Sequence, residues 1–384
     1  MGQSPDINTY FLSDSLYELA KDSSYWSAAQ ELSFIGEYKS ALAFYDKDVW
    51  LAPKLTSKDS SFFTRFKPVN ALSYFSKIAE KEKIIIINEA HHQPYHRVFT
   101  TILLKELYAK GFRYFGAETL NQWDTLMNYR KYPIQNSGYY TKDPLYSEMI
   151  RTALEIGFTV FAYESNVRDT SEQTPTSISI REIEQAKNIK KILNNDSNAK
   201  VLIHCGYDHL VETYYPGWGK AMAGRLIEYT GINPFTIDQI EFTERSSLKY
   251  ENALFDKINL DYYAIFVDSL GKLYNGCEGS KRYDANLYHP RTIWLYGRPN
   301  WVFENNRKPY FVNNKISIGF PCLVLAYLSD EKFSKTNVYD NPRPLDVIEL
   351  KSKNESKALS LKEGNYKLII YDFEGKRQVI EMKF

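Results

Sequence analysis

The sequence has few of the residues that build disulfide frameworks, and it has no long apolar run. Its three cysteines, Cys205, Cys277 and Cys322, show no Cys-x-x-Cys spacing, so we expect neither a disulfide scaffold nor a cysteine-ligated zinc site. No apolar stretch approaches the ~20 residues of a membrane span. Lys and Arg number 48 against 47 Asp and Glu, and this balance argues against a strongly basic nucleic-acid-binding protein.

Several catalytic and targeting motifs are also missing. The sequence contains no Gly-x-Ser-x-Gly elbow of the serine hydrolases, no phosphate-binding loop and no Gly-x-Gly-x-x-Gly. It shows no signal peptide. The polar start at Gln3-Ser4-Pro5 and the β-rich tail favour an exported protein, periplasmic or extracellular, from which a signal peptide has been removed. A cytoplasmic protein is the alternative.

The hydrophobic pattern divides the chain into three regions. Residues 1–60 show helical spacing and predict an N-terminal helical segment. Residues 61–304 alternate short apolar runs, such as Ile84-Ile85-Ile86-Ile87, with helical patterns. This alternation predicts an α/β catalytic-like domain whose mostly parallel sheet carries helices on both faces. Residues 262–267 are a candidate sixth strand of that sheet.

The last region, residues 305–384, loses helical periodicity and predicts a C-terminal β domain resembling a small sandwich. Its expected strands begin at residue 316, with Ile316-Ser317-Ile318, and continue through residues 322–325, 346–350, 366–370 and 378–380.

Acidic residues and histidines gather where the predicted parallel strands end. Ligands bind at the carboxyl ends of strands in open parallel sheets, so these residues are expected on one rim. Five of the six histidines follow the first and fourth strands. The rim residues, in chain order, are Glu89, His91, His92, His96, Arg97, Glu118, Glu164, His204, Asp208, His209 and Asp238.

Structural roles remain open for several of these residues. Glu89 could cap the following helix, because carboxylates favour helix N-termini. His204 could be a hydrogen-bonded core histidine, and His91 could be a surface or supporting residue. Glu164 could pair with an arginine such as Arg168.

The chemistry that such a set supports is narrow. Carboxylates and imidazoles on one rim suit general acid–base activation of water, or one divalent metal with nitrogen and oxygen ligands. Carboxylates close together should raise the pKa of at least one of them, whereas a neighbouring imidazolium should lower it. We predict catalytic roles, or metal ligation if a metal is present, for Glu89, His92, Glu118 and His209, and binding roles for Arg97, Glu164, His204 and Asp208.

Three of these motifs, in this order, resemble the erythromycin esterase, ChaN and TraB/Tiki superfamily over roughly residues 75–240. They are Glu89 with His92 and Arg97, the strand end Ala117-Glu118, and the segment Gly206-Tyr207-Asp208-His209-Leu210. Two features depart from the esterase pattern. Asn88 stands where those proteins have Gly, and Arg97 follows His92 at a longer interval.

The resemblance implies an α/β fold with a cleft at the strand ends. The esterase branch implies hydrolysis of an ester or lactone, with His92 as the base assisted by Glu89 and Glu118. The Tiki branch implies a metal-dependent peptidase holding Mn, Co or Zn, and the ChaN branch implies haem binding. We therefore expect a hydrolase acting on an ester, lactone or amide bond of a small molecule or peptide. The alternatives are a non-catalytic haem- or metal-binding protein and a scaffold with a lapsed centre. The Tyr- and Asn-containing loop 121–143 is expected to cover the cleft.

Overall fold

The computed structural model describes residues 9–22, 25–52, 54–55, 61–165, 174–215, 217–276 and 282–384. The helices are α1 Ser13–Asp22, α2 Tyr25–Phe34, α3 Tyr38–Tyr45, α4 Phe62–Arg65, α5 Ala71–Ile78, α6 Tyr95–Ala109, α7 Met127–Arg130, α8 Pro144–Ile156, α9 Pro175–Asn195 and α10 Met222–Thr230. The strands are β1 Lys67–Asn70, β2 Ile84–Glu89, β3 Tyr114–Ala117, β4 Thr159–Ala162, β5 Val201–Gly206, β6 Tyr214–Tyr215, β7 Gly219–Lys220, β8 Phe235–Asp238, β9 Ala264–Val267, β10 Ala285–Asn286, β11 Trp294–Leu295, β12 Arg298–Pro299, β13 Lys308–Tyr310, β14 Cys322–Leu328, β15 Asp346–Leu350, β16 Leu359–Leu361, β17 Asn365–Asp372 and β18 Arg377–Lys383.

A six-stranded parallel sheet forms the centre of the molecule, which confirms the predicted α/β class. Its strand order is β10-β8-β2-β5-β3-β4, and every pairing in it is parallel. The expectation that residues 262–267 supply the sixth strand is wrong. Strand β9 pairs antiparallel with β1 instead, and the short β10 occupies the edge position beside β8.

Alternate residues of the central strands face opposite layers of helices. Ile85 and Ile87 pack with α5, α6 and α8 in one core, whereas Ile84 and Ile86 pack with α9 and α10 in another. Because side chains alternate along a strand, Glu89 continues the row of Ile87 towards α6. Ala117 belongs to the same core as Ile87, so Glu118 points to the opposite layer, towards α9.

The C-terminal part is a four-stranded antiparallel sheet in the order β15-β14-β17-β18. One face packs against apolar residues of the β13–β16 ribbon, and the other packs against the N-terminal helices through Leu32 and Phe34. The predicted strand Ile316–Ile318 does not form. The N–H of Ser317 donates to the side chain of Gln378 at 2.8 Å instead of to a neighbouring strand.

The N-terminal helices also contact the central domain. Tyr38 of α3 packs with Tyr95 and Val98 of α6 and with Trp301. Lys142, which precedes α8, forms a 2.6 Å ion pair with Glu31 of α2. In the described residues no helix combines the length and apolar character that crossing a bilayer requires.

We expect Leu32→Ala to destabilise the whole molecule, because Leu32 is fully buried between α2 and the C-terminal sheet. Large-to-small changes in such positions cost about 2–5 kcal/mol. The matched control is Leu19→Ala on α1, where the leucine is 49% exposed and the expected cost is about 0.5 kcal/mol or less. Urea unfolding of the two variants measures the difference, and equal free energies of unfolding would contradict the packing described here.

Candidate active site

Glu89 is the centre of a buried ionic network at the end of β2. Its carboxylate accepts two hydrogen bonds from Arg97, both at 2.6 Å, and one from His204 Nε2 at 2.7 Å. Burial raises the pKa of the Glu89 carboxyl, but Arg97 and His204 outweigh burial and hold this pKa well below its usual range. Glu89 is therefore a permanent anion, and its low pKa excludes it as a proton donor near neutral pH.

The helices of the same face hold the partners of Glu89 in place. Arg97 lies on the first turns of α6, and its Nη1 is 3.1 Å from the carboxylate of Asp143, which also caps α8 through the N–H of Tyr146. His204 Nδ1 lies 3.2 Å from the hydroxyl of Thr100, one turn further along α6. Two helices and two strands therefore fix one carboxylate.

His91 is oriented by this anion. Its Nδ1 lies 2.8 Å from Glu89 Oε1, and an ionised carboxylate only accepts hydrogen bonds, so Nδ1 carries the proton. In neutral His91 the other nitrogen, Nε2, is then unprotonated. Gly206 shows where this nitrogen lies. A Cβ atom added to Gly206 would overlap the His91 ring and would come within 2.9 Å of Glu118 Oε2. His91 Nε2 and Glu118 therefore face the same small space above Gly206.

Glu118 reaches this space from the opposite face of the sheet. Its carboxylate accepts hydrogen bonds from the backbone N–H of Gly206 and from Arg181 of α9 at 2.7 Å. Burial raises the pKa of Glu118, but His209 and Arg181 outweigh burial and hold this pKa well below its usual value. At Glu118 the neighbouring imidazole of His209 lowers the pKa, as predicted. Neither Glu89 nor Glu118 has the raised pKa expected of close carboxylates, because each has its own cationic partners. Among the rim residues Asp238 does have a raised pKa, about 6, chiefly because it is buried.

Arg181 links two of the predicted acidic residues. Besides Glu118 it binds Glu164, with its Nε 2.8 Å from one carboxylate oxygen and its Nη2 2.6 Å from the other. The predicted partner Arg168 lies outside the described residues. The side chain of Arg181 is 34% exposed, whereas the side chains of Glu89, His91 and Glu118 are at most 6% exposed, so Arg181 is the solvent-accessible member of this group.

His209 lies between two carboxylates. Its Nδ1 is 2.6 Å from Glu182 and its Nε2 is 3.4 Å from Glu118. Burial lowers the pKa of the His209 imidazole, but Glu182 and Glu118 outweigh burial and raise this pKa to about 10. This pKa favours protonated His209 at neutral pH, although Arg181 Nη1 also lies 3.2 Å from its Nε2, and His209 lowers the pKa of Glu118.

Two of the predicted residues lie apart from this cluster. The ring of His92 stacks on Tyr45 of α3 with 3.6 Å between centroids, and its Nε2 is buried with no hydrogen-bond partner among the described residues. Burial, reinforced by Arg245, lowers the pKa of His92 well below its usual value. Asp208 binds Arg282 at 2.9 Å near the surface.

The residues predicted as possible metal ligands do not fit a metal ion in this arrangement. In the described part of the chain no group of three or more His, Cys, Asp or Glu is placed to hold one. Both oxygens of Glu89 accept hydrogen bonds from Arg97, and the cations Arg181 and His209 already neutralise Glu118. A divalent cation there would be repelled by these neighbours.

The backbone is strained directly after the two strand ends that meet at the site. Thr119 follows Glu118 with φ +59°, and Tyr207 follows Gly206 with φ +38°, values that residues with a Cβ rarely adopt. Asn88 donates a 2.9 Å hydrogen bond to the carbonyl of Tyr207. The side chain of Asn88, which stands where the esterases have Gly, therefore supports the strained turn at Tyr207. Backbone strain of this kind is concentrated at functional sites.

Sequence reasoning missed several members of the site. His91 lies in the centre, whereas the sequence places it on the rim without assigning it a catalytic or binding role, and its spacing of two residues from Glu89 is the signal that could identify it. Arg181 and Glu182 lie on α9, far in sequence from any strand end. Nothing in their local pattern distinguishes them from other charged helix residues. Tyr140 packs on His91 with 4.2 Å between ring centroids, so one residue of loop 121–143 does lie over the site.

Comparison with known proteins gives no function. No family model and no curated protein matches the chain. Three solved structures are weakly similar to it: the type III effector HopBA1, at 12% identity and TM-score 0.35 over 44% of this chain and 84% of that one; RRSP, a MARTX toxin effector domain from Vibrio vulnificus CMCP6, at 15% and 0.33 over 54% and 42%; and a structure described as bacterial protein toxins, at 12% and 0.34 over 62% and 48%. The chain spans less than half of the last two, and similarity at this level indicates no activity.

The raised pKa of His209 predicts how stability depends on pH. A group whose pKa is higher in the folded state stabilises the fold fully below its unfolded pKa of 6.5, and this contribution is lost as the pH rises through about 10. His209→Gln should therefore lower the free energy of unfolding by about 3–5 kcal/mol at pH 6 and by much less above pH 10. Urea unfolding of both proteins across this range measures the difference, and a constant difference would contradict the assignment.

Proposed function

We propose that this protein is a hydrolase that activates water with His91. The observation that carries the proposal is the hydrogen bond from His91 Nδ1 to the Glu89 carboxylate at 2.8 Å, which makes Nε2 the acceptor nitrogen of the neutral ring and places it near Glu118. A carboxylate that fixes the tautomer and direction of an imidazole is the arrangement by which hydrolases prepare a general base.

A water molecule above Gly206 would have two acceptors. It would donate one proton to His91 Nε2 and the other to Glu118, so that its lone pairs face a substrate carbonyl. As water attacks, His91 takes the proton, and Glu89 stabilises the imidazolium that forms. The proton on His91 then passes to the leaving alcohol or amine, which breaks the ester or amide bond and regenerates the neutral base.

The surrounding charges support this division of roles. Arg97 and His204 keep Glu89 ionised, and Arg181 and His209 do the same for Glu118. With a pKa of about 10, His209 is a poor proton donor at neutral pH, because efficient acids titrate near the working pH. We assign it an electrostatic role. The proposed substrates are esters, lactones or amides of small molecules or peptides.

Replacing His91 by Gln should abolish turnover, because the base is lost while the side chain remains polar. We expect kcat to decrease by about 10²–10⁴-fold, measured on whichever substrate a panel of esters, lactones and peptides identifies. His92→Gln is the matched control, and we expect it to retain most of its activity. A full rate in His91→Gln, together with its loss in His92→Gln, would return the role of base to His92, as the family resemblance implies.

Gly206→Ala tests whether the space above Gly206 is where the reaction occurs. The added Cβ would meet the movable ends of His91 and Glu118 rather than backbone, so the fold should survive while the two groups separate. A displacement of about 1 Å costs about 10²-fold in rate. Gly364→Ala, where a Cβ finds ordinary contacts of 3.4 Å and more, is the control. Equal rates in the two variants would place the reaction elsewhere.

A further inference from the structure

We infer that Trp26 and Tyr45 of the N-terminal helices are specificity-determining residues, which cover the site and select substrates with a planar, aromatic group beside the scissile bond. The inference rests on the proposed function, although its first test does not. It is carried by the contacts of four rings with the site histidines.

These rings form an aromatic cover, which we define as Trp26, Tyr45, Tyr140 and Tyr207. Trp26 of α2 lies edge-on to His91 with 6.3 Å between ring centroids, and Tyr207 lies edge-on to the same histidine at 5.0 Å. Tyr140 packs on His91 at 4.2 Å. The imidazole predicted to act as base is therefore enclosed by aromatic side chains.

Tyr45 of α3 packs on Tyr207 and His92. The ring of Tyr45 is nearly parallel to that of His92 at 3.6 Å and to that of Tyr207 at 6.4 Å. The hydroxyl of Tyr207 lies 3.4 Å from His92 Nδ1. A substrate that reaches His91 from this side must displace rings of the N-terminal helices.

The aromatic cover buries both histidines, but one of its rings is itself exposed to solvent. His91 is 5% exposed and His92 is 2% exposed, whereas Trp26 retains 38% of its surface. The indole is thus the part of the cover that a ligand would meet first. Rings that pack on one another exchange most readily for another ring, because offset and edge-to-face contacts between aromatic groups are favourable. A planar aromatic group can replace these contacts, whereas a puckered aliphatic ring of the same size lacks the attraction between aromatic rings.

The first test measures access without any substrate. Diethyl pyrocarbonate acylates unprotonated imidazoles, and peptide mass spectrometry locates the modified residues. We expect Trp26→Ala and Tyr45→Ala to increase the rate of modification at His91 and His92 by about tenfold, the upper range for one aromatic contact. The fully buried His289 reports global unfolding and should stay unmodified. Trp50→Ala, where the indole is 94% exposed, is the control variant and should match the wild type.

Unchanged modification rates in both cover variants would overturn the inference whatever the protein hydrolyses. If modification increases but no variant hydrolyses any ester, lactone or amide, the proposed hydrolase function fails while the cover stands.

The second test measures selectivity with a matched pair of acyl groups, benzoyl and cyclohexanecarbonyl, on the same leaving group. We expect the wild type to prefer the planar benzoyl ester in kcat/KM by about threefold to tenfold. Tyr45→Ala and Trp26→Ala should reduce this preference towards one, and Trp50→Ala should retain it. A ratio that is the same in the wild type and in both cover variants would overturn the assignment of specificity to Trp26 and Tyr45.

Discussion

The buried carboxylate of Glu89 is the constraint on which the candidate site depends. An anion inside a protein is stable only when cations and hydrogen-bond donors surround it, and removing one partner of such a pair costs about 3–5 kcal/mol. Glu89 accepts its hydrogen bonds from Arg97 of α6, His204 of β5 and His91 of the following turn. The requirement for these donors aligns two strands and a helix, and the direction of His91 follows from it.

The site combines contributions from both faces of one sheet. Glu89 and His204 point to the layer that contains α6 and α8, whereas Glu118 points to the layer that contains α9. They meet only beyond the strand ends, where Gly206 leaves room for His91 and Glu118. The two halves therefore carry separate charge networks, one around Arg97 and the other around Arg181. They meet at His91, which is hydrogen-bonded to Glu89 and also lowers the pKa of Glu118.

The central sheet was predictable because its signals are local. Four consecutive isoleucines read as a strand buried on both faces, and Gly157 and Gly231 end helices α8 and α10 in the left-handed conformation. The sixth strand was not predictable from the sequence, because β10 has only two residues and its pairing depends on tertiary contacts. At the site, position after a strand indicated Glu89 and Glu118. It could not show which of the two adjacent, buried histidines binds Glu89, since this depends on the donor that Glu89 requires. Arg181 and the residues of the aromatic cover come from segments far from Glu89 in sequence, and no local sequence pattern indicates that they belong to the site.

The packing of α1 and α2 on the C-terminal sheet has a consequence for the order of assembly during translation. These helices leave the ribosome long before the apolar surface that receives them, which includes Leu323, Leu325, Ile369 and Tyr371. Contacts this far apart in sequence form late, since the loop between them must close first. The central sheet and its carboxylates can thus assemble while Trp26 and Tyr45 still have no docking surface on the C-terminal sheet. A nascent chain would pass through a stage in which the residues of the candidate site are assembled but Trp26 and Tyr45 do not yet cover them.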